Sequence, residues 1–331
     1  MKKLKFSFLF LLFLLSTAGC TSFYVFSDLG TLGGAFSEAR DINEHDHIVG
    51  SSETEDGSVH AFLIRNGSMI DLGTLGGANS WALGINDDDV VVGSSELADG
   101  RIHAFIWRDG VMTDIHDPAH PSSSEPDSSR AVAINNDRWI TGNVGISGVV
   151  WRTIDDVEFL SGSVAGPKDA YDINNEHQIV GWHHSVDQAF VWEDGMMTLL
   201  PHDVPPAGSR AYAINNSGLI VGWEYTLPHG FKQAALFQVD DLPVLLGTLG
   251  GDESRALDIN DNGLVVGHSD KTEGSNVPFY YDPDEGSMRE LMSLGDGMAF
   301  AVNNRKIIVG KVKNSTGEYR AVKWYLTRWR F

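Results

Sequence analysis

"SRAYAINNSGLIVGWEY", at Ser209–Tyr225, contains the pattern that decides the fold. Its frame is Ala-x-x-Ile-Asn, with a glycine seven residues after the Asn, and this frame occurs seven times in the chain, once with Val in place of Ile. The repeated asparagines are Asn43, Asn86, Asn135, Asn174, Asn215, Asn260 and Asn303, separated by 43, 49, 39, 41, 45 and 43 residues. A period of this length is typical of ring-forming and stacked repeat proteins.

Each copy of the repeat predicts four short strands. In the quoted copy "RAYAIN" is the first strand, "NSG" a turn and "LIVGW" the second strand. Segments such as "HAFIW" and "QAFVW" supply the third strand, and "VMTDI" and "MMTLL" the fourth. The pairs Asn66-Gly67, Asp109-Gly110 and Asp194-Gly195 separate third from fourth strands. Such pairs favour two-residue hairpin turns, because both central residues need a positive φ.

Seven sets of four antiparallel strands predict an all-β fold, a seven-bladed β-propeller formed by residues 21–331 as a single domain. The strands are apolar on both faces, as a blade packed between two neighbours requires. The segment "FYVFSDL" at Phe23–Leu29 resembles a fourth strand but has no first three strands before it. We expect it to complete the last blade and close the ring, so that no sheet edge stays open.

Residues 1–20 have the pattern of a signal peptide. Three lysines precede the ten-residue apolar run "FSFLFLLFLL", which is too short to span a bilayer. Ala18–Cys20 then resembles the end of a bacterial lipoprotein signal, in which the cysteine is acylated, and Cys20 is the only cysteine of the chain. Ordinary cleavage at the Ser16-x-Ala18 pattern is the alternative. We therefore expect a protein of the bacterial cell envelope, either an outer-membrane lipoprotein or an extracellular protein.

The charge of the chain limits its partners. The formal net charge is −21, which repels phosphate backbones, so nucleic acid is not expected as a partner. The expected ligand is a carbohydrate or a protein, the expected contact with a membrane is through the N-terminal lipid only, and the expected state is a monomer.

The repeat unit S-x-A-x-x-I-N…V-G-S…H-A-F…D-L-G-T-L-G-G resembles that of the HAF-repeat family of bacterial extracellular proteins. The triplet of the family name is present at His60–Phe62 and His103–Phe105, whereas other copies depart from it. The resemblance implies an exported, repeat-built protein, and it brings no catalytic residues to this chain.

The motifs that resemble nucleotide-binding or calcium-binding loops are better explained by structural roles. The heptamer "DLGTLGG", at Asp28–Gly34 and Asp71–Gly77, lacks the glycine spacing of nucleotide-binding loops, and we predict that it links blades. Asp258–Gly263 begins like a calcium loop, but Ser269 stands where the twelfth position needs an acid. No nucleophile motif is present. The sequence therefore predicts no catalytic residue, no cofactor and no metal site.

One sector departs from the regular repeat. The linkers after Ile115, Leu160 and Leu200 replace the LGTLGG sequence, and because they are consecutive they should lie side by side on one face of the ring. Tryptophans also replace the serines that follow the repeat glycine in the early copies. We predict a ligand site in this sector, formed by Trp182, Trp223, Tyr225, His183, His184, His116, His120, His202 and His229. The alternatives are local packing of aromatic residues in altered loops and a histidine metal site within this sector.

Three functions stay open at this point. Aromatic residues among polar loops suit a carbohydrate or peptide, which favours a non-enzymatic binding module. An enzyme acting on polysaccharide, a hydrolase or lyase, would instead need close carboxylates near the axis of the loop-rich face. A purely structural surface protein would need neither.

Overall fold

The computed structural model describes residues 22–116, 128–162, 164–166, 168–202, 208–227 and 230–328. All regular secondary structure in these ranges is β-strand, arranged in seven four-stranded antiparallel sheets whose inner strands contact one another around a ring. The predicted seven-bladed β-propeller is confirmed. The described ranges contain no helix long and apolar enough to cross a membrane.

Blades 1 to 6 run from an inner strand to an outer strand in chain order, whereas the outer strand of blade 7 is the first strand of the chain. Blades 1 to 3 consist of β2 (Gly33–Ile42), β3 (Ile48–Thr54), β4 (Val59–Arg65), β5 (Ser68–Asp71); β6 (Gly76–Ile85), β7 (Val91–Leu97), β8 (Ile102–Arg108), β9 (Val111–Asp114); and β10 (Ser129–Ile134), β11 (Ile140–Val144), β12 (Ser147–Thr153), β13 (Asp156–Phe159). Blades 4 and 5 consist of β14 (Lys168–Ile173), β15 (Ile179–His183), β16 (Gln188–Glu193), β17 (Met196–Leu199); and β18 (Ser209–Ile214), β19 (Ile220–Thr226), β20 (Phe231–Phe237), β21 (Val244–Gly247). Blades 6 and 7 consist of β22 (Gly250–Ile259), β23 (Val265–Lys271), β24 (Asn276–Asp282), β25 (Ser287–Glu290); and β26 (Gly297–Val302), β27 (Ile308–Lys313), β28 (Tyr319–Arg328), β1 (Ser22–Asp28).

The N-terminal strand closes the ring as predicted. β1 pairs antiparallel with β28, with Phe23 opposite Thr327 and Asp28 opposite Val322. The Leu29 backbone N–H continues this ladder by donating to the Ala321 carbonyl at 2.9 Å. The first and last strands of the described chain are therefore joined within one blade, which ties the ends of the ring together.

The hydrophobic core lies between the blades. Phe105 and Trp107 of β8 pack against Val49 and Leu63 of blade 1 in one buried cluster. The corresponding aromatics of blade 4, Phe190 and Trp192, are also buried. The aromatic residues of the third strands thus form part of the core between blades, as expected for strands that are apolar on both faces.

The repeated alanine and glycine have a steric cause. Ala39 on β2 is fully buried, and a bulge follows it opposite Gly50 of β3. A Cβ atom on Gly50 would stand 2.0 Å from the Glu38 carbonyl oxygen. At the equivalent glycine of blade 5, Gly222, the corresponding distance is 1.8 Å. No side chain fits in this space, so the first two strands of each blade can approach only at glycine.

The seven repeated asparagines form a closed hydrogen-bonded ring. Asn43 Nδ2 donates to the Asn86 carbonyl at 3.0 Å, and each following Asn donates to the next blade in the same way. Asn303 completes the circle by donating to the Asn43 carbonyl at 3.1 Å. The amide oxygen accepts local backbone N–H groups, as Asn215 Oδ1 does from Leu219. Each asparagine therefore stabilises its own turn, and its bond to the next blade adds a second role that one repeat cannot show.

The DLGTLGG heptamer links blades and is joined to the HAF triplet. Asp71 Oδ1 accepts from the Gly73 N–H at 2.8 Å, and Asp71 Oδ2 lies 2.8 Å from His60 Nδ1. Gly73 and Gly76 have φ of 73° and 106°, which glycine adopts without strain. Ser80 Oγ on β6 donates back to the Gly73 carbonyl at 2.6 Å. These contacts give the heptamer a turn-forming role.

Candidate functional site

The two ends of the propeller carry different connections. We call the loop face the end with the linkers between blades and the loops between second and third strands. We call the turn face the opposite end, with the turns between first and second and between third and fourth strands. The three altered linkers join β9 to β10, β13 to β14 and β17 to β18, so they begin and end at strand ends on the loop face. Residues 117–127, 163, 167 and 203–207 of these linkers lie outside the described residues.

Blade 4 presents a fixed aromatic residue near this face. Trp182 on β15 is half-buried, and its indole Nε1 donates to Asp187 Oδ1 at 2.9 Å. The His184 ring lies 4.0 Å from the Trp182 ring, centroid to centroid. His184 Nε2 lies 3.0 Å from Asp169 Oδ2, and Tyr171 Oη donates to the same oxygen at 3.1 Å. Trp182 is therefore held by hydrogen bonding and stacking on its own blade.

Arg210 connects blade 4 to blade 5. It lies on the inner strand β18, and its guanidinium carbon is 3.8 Å from the Trp182 ring centroid and 5.5 Å from that of Trp223. Within the described part of the chain, its buried Nε has no hydrogen-bond partner and no carboxylate forms an ion pair with it. Arg210 is thus positioned by aromatic contacts, and among the described residues the N–H groups of its terminal nitrogens make no hydrogen bond.

Blade 5 surrounds Trp223 with polar and aromatic groups. Trp223 Nε1 donates to Tyr212 Oη at 3.1 Å, and the Tyr225 ring meets Trp223 edge-on at 4.9 Å. Lys232 Nζ lies 5.1 Å from the Trp223 centroid and 5.6 Å from that of Tyr225. Trp223 is only 3% exposed, so it supports its neighbours and offers no open ring face. We call the whole assembly the Trp-Arg cluster: Asp169, Tyr171, Trp182, His184, Asp187, Arg210, Tyr212, Trp223, Tyr225 and Lys232.

The structure brings together four of the predicted site residues, namely Trp182, His184, Trp223 and Tyr225. His183 is separated from them because successive residues of a strand, such as Trp182 and His183, point to opposite faces. It is fully buried, and its Nε2 lies 3.0 Å from the Val164 carbonyl oxygen.

The other predicted histidines do not join this group. His116 stacks on His103 at 4.1 Å and bonds to Ser129 Oγ, between blades 2 and 3. His202 is half-buried and takes part in none of the contacts of the Trp-Arg cluster. His120, His229 and Cys20 lie outside the described residues.

Sequence reasoning missed the inner-strand members of the cluster. Asp169, Tyr171, Arg210 and Tyr212 flank the repeat alanine on β14 and β18. The signal was available, because the position before that alanine varies among Glu, Trp, Arg, Asp and Met while the alanine is constant. A position that differs between blades, next to an alanine that does not, indicates side chains that take no part in the packing common to all blades.

Three carboxylates lie on inner strands near the axis of the ring. Burial raises the pKa of Asp41 to about 7 and that of Asp172 to about 6, and burial with repulsion from these two raises the pKa of Asp258 well above its usual range. Each accepts two backbone N–H groups, one from its own strand and one from the next blade, such as Ile85 N to Asp41 Oδ2 at 2.8 Å. Among the described residues, no three His, Cys, Asp or Glu side chains are placed to hold a metal ion.

The turn face contains a polar cavity of about 280 Å³ on the axis. It is lined by the asparagine ring and by a second ring in which each backbone N–H binds the next side-chain oxygen. The members of the second ring are Glu44, Asp87, Asn136, Asn175, Asn216, Asp261 and Asn304. Since these groups already bind one another, the cavity is better suited to hold the ring closed than to bind a ligand.

Comparison with known proteins agrees with the fold. No family model and no curated protein matches the chain. Among solved structures, the chain is similar to virginiamycin B lyase from Staphylococcus aureus, with a TM-score of 0.61 and 9% identity over 92% of this chain and 100% of the lyase. It is also similar to a puromycin-hydrolyzing peptidase from Mycobacterium tuberculosis, with a TM-score of 0.52 and 15% identity over 87% of this chain and 50% of the peptidase. This chain therefore spans about half of the peptidase, and at such identities the likeness shows the propeller fold alone.

Proposed function

We propose that the protein is an exported, lipid-anchored envelope protein that binds a carbohydrate at the loop face of blades 4 and 5. The Trp-Arg cluster is the observation that carries this proposal. Blades 4 and 5 place Trp182 and Trp223 after the repeat glycine, where blades 1 and 2 have Ser51 and Ser94. Aromatic surface with a few directed polar groups is the usual composition of a small-ligand site.

A purely structural role explains the cluster less well. Aromatic side chains could fill the space between two blades without any charged group. A partly buried arginine is costly without a partner, and a structural arginine is therefore usually paired with a carboxylate. In the described part of the chain Arg210 forms no ion pair, although Asp169 and Asp187 lie within the same cluster and bind other groups.

An enzyme acting on polysaccharide is the second candidate function. Burial raises the pKa of Asp41 to about 7, which suits a general acid at neutral pH, and similar propellers include a lyase and a peptidase. Against this, both oxygens of Asp41 already accept backbone N–H groups. Turnover of a bound polysaccharide that is lost in Asp41→Asn would favour this candidate over a binding module.

A glycan array with matched tryptophan variants tests the binding site. Trp182→Ala should weaken binding of retained glycans at least tenfold. Trp139→Ala is the control: Trp139 is also half-buried beside a histidine (His177, 4.1 Å) and an arginine (Arg152, 5.0 Å), but it lies on the turn face. Equal binding by wild type and Trp182→Ala would contradict the proposed site. Retention of peptides and not of glycans would replace the proposed ligand class.

The lipid anchor is tested separately, by metabolic labelling with a fatty acid. The supporting observation is the single cysteine of the chain, Cys20, at the end of the signal-like segment. Wild type should be labelled and recovered with membranes, and Cys20→Ser should be unlabelled and released. An unlabelled wild-type product would contradict the anchor and leave the binding site untouched.

A further inference from the structure

We infer that the ligand carries a carboxylate bound by Arg210, so that the site recognises polysaccharides containing uronic acid. This inference rests on the proposed carbohydrate-binding function and narrows it. Three observations support it: the absence of a counter-charge for Arg210 among the described residues, the position of its guanidinium over Trp182, and the hydroxyl groups beside it.

The missing counter-charge is unusual in so acidic a chain. The sequence has 45 acidic and 24 basic residues, so a surface arginine readily meets a carboxylate. Arg138, Arg152 and Arg305 all do so in this structure. Arg210 does not, within the described ranges. The negative partner is therefore expected to come from a ligand.

A second unpaired arginine extends the positive region towards blade 3. Arg130 occupies the position before the repeat alanine on β10, as Arg210 does on β18. It is exposed and forms no ion pair with any side chain in the described segments. Lys232 adds a third positive charge next to Trp223 and Tyr225. The loop face of blades 3 to 5 can thus bind an anion although the whole protein repels anions.

The position of Arg210 over the Trp182 ring suits the binding of a planar anion. Its guanidinium carbon lies 3.8 Å from the centroid of the Trp182 ring, a cation–π contact that uses none of its N–H donors. Trp182 is fixed in turn by its hydrogen bond to Asp187. A guanidinium held in this way can present two parallel N–H groups to both oxygens of a carboxylate.

The neighbouring tyrosines supply groups that suit sugar hydroxyls. Tyr212 Oη accepts from Trp223 Nε1, so its own O–H can still donate. Tyr171 Oη donates to Asp169, so its lone pairs can still accept. Burial raises the pKa of Tyr171, which keeps this hydroxyl protonated. A donor and an acceptor beside a carboxylate-binding arginine fit a uronic acid better than a simple carboxylate.

The test compares uronate polymers with their own methyl esters. Polygalacturonate, alginate and hyaluronan are each titrated by calorimetry, as the free acid and as the fully esterified polymer, with dextran and dextran sulfate alongside. Wild type should bind at least one free acid, and esterification should weaken that binding at least tenfold, because it removes the charge and keeps the sugar. Dextran should not bind more tightly than the ester.

Arginine variants then locate the contact. Arg210→Gln should weaken binding of the free acid at least tenfold, and Arg210→Lys should restore part of it, because Lys keeps the charge but lacks the planar fork. Arg152→Gln is the matched control, since Arg152 also lies over a tryptophan, Trp139, but on the opposite face. It should leave binding unchanged.

The outcomes separate the two proposals. Equal binding of acid and ester overturns the inference and leaves carbohydrate binding in place. Binding of dextran sulfate alone shows a sulfate ligand and also overturns it. Binding of no glycan in this panel or on the array contradicts the proposed function itself. The esterification arm uses only wild type, so the inference stays testable even where an Arg210 variant does not fold.

Discussion

The turn face and the loop face of this propeller follow opposite rules. On the turn face, seven asparagines make the same inter-blade bond, and the ring closes with Asn303 bound to Asn43. On the loop face of blades 4 and 5, Arg210 lies over the ring of Trp182, a contact that the repeated residues do not supply. The sequence that repeats builds the ring, and the sequence that departs from the repeat builds the candidate site.

The two regions also differ in how their polar groups are satisfied. Each ring asparagine both donates to the next blade and accepts within its own turn, as Asn215 does. Arg210 keeps a buried Nε without a partner in the described part of the chain. A satisfied buried group stabilises the fold, whereas an unsatisfied one lowers stability unless a ligand binds it. Stability and binding should therefore respond to different substitutions.

The largest effect is expected at the repeat glycine. Gly50→Ala places a Cβ atom 2.0 Å from the Glu38 carbonyl oxygen, and the two strands must separate to accept it. We expect a loss of about 4 kcal/mol or more in the free energy of unfolding. Gly295→Ala is the control, because its Cβ would meet only ordinary contacts, the nearest at 3.4 Å. Denaturant midpoints compare the two variants, and equal midpoints would show that the close approach is not a requirement of the fold.

A smaller effect is expected in the asparagine ring. Asn135→Ala removes the donor to the Asn174 carbonyl and the acceptor for the Trp139 N–H. Leaving these buried groups unpaired should cost about 2 to 3 kcal/mol.

Asn136→Ala is the matched control for the ring. Asn136 is exposed and belongs to the second ring, where it binds the Asp87 N–H. Water can replace its bonds, so the expected cost is about 1 kcal/mol or less. If both variants lose the same stability, the inner ring has no special role.

The repeat made most of the fold predictable. The seven copies of the repeat predicted the number of blades, and the unmatched strand at Phe23–Leu29 predicted the closure with β28. The bond from each asparagine to the next blade could not be predicted from one repeat. Its acceptor lies 39 to 49 residues further along the chain, and for the closing bond of Asn303 it lies in the first blade.

The site was predictable only in part. The altered linkers indicated the sector that contains Trp182 and Trp223, and the structure joins these two residues through Arg210. Strand alternation already implies that His183 points away from Trp182 and His184. Arg210 itself lies on a regular inner strand, where a search based on altered loops does not look.

The turn face also carries the partly buried carboxylate of Asp41, whose charge lowers stability, and this effect depends on pH. Burial raises the pKa of Asp41 to about 7, well above the value of about 3.9 in an unfolded chain. The native state thus binds the proton more tightly, and the stability from this group is present below about pH 4 and lost as pH rises through 7.

Replacing Asp41 should remove this loss. The free energy of unfolding of Asp41→Asn, relative to that of wild type, should be about 1 to 2 kcal/mol higher at pH 8 than at pH 5. We expect a value in this modest range because Asp41 keeps some exposure. Urea unfolding at both pH values measures it. Asp156→Asn, at an exposed site on β13, should show no such difference. A gain that is the same at both pH values would show that the charge of Asp41 is not the cause.

The smallest effect on stability is expected at Arg210, where the effect on binding should be largest. Its described contacts are cation–π contacts with Trp182 and Trp223, which contribute about 0.5 to 1 kcal/mol each at partly exposed sites. Part of that gain is offset by its unpaired Nε, so Arg210→Gln should change the free energy of unfolding by about 1 kcal/mol or less. Arg152→Gln, which removes a cation–π contact with Trp139 and an ion pair with Glu158 on the outer strands, should change it by a similar amount. A loss at Arg210 as large as that at Asn135 would place this arginine in the framework of the ring, and the separation between a structural end and a binding end would no longer hold.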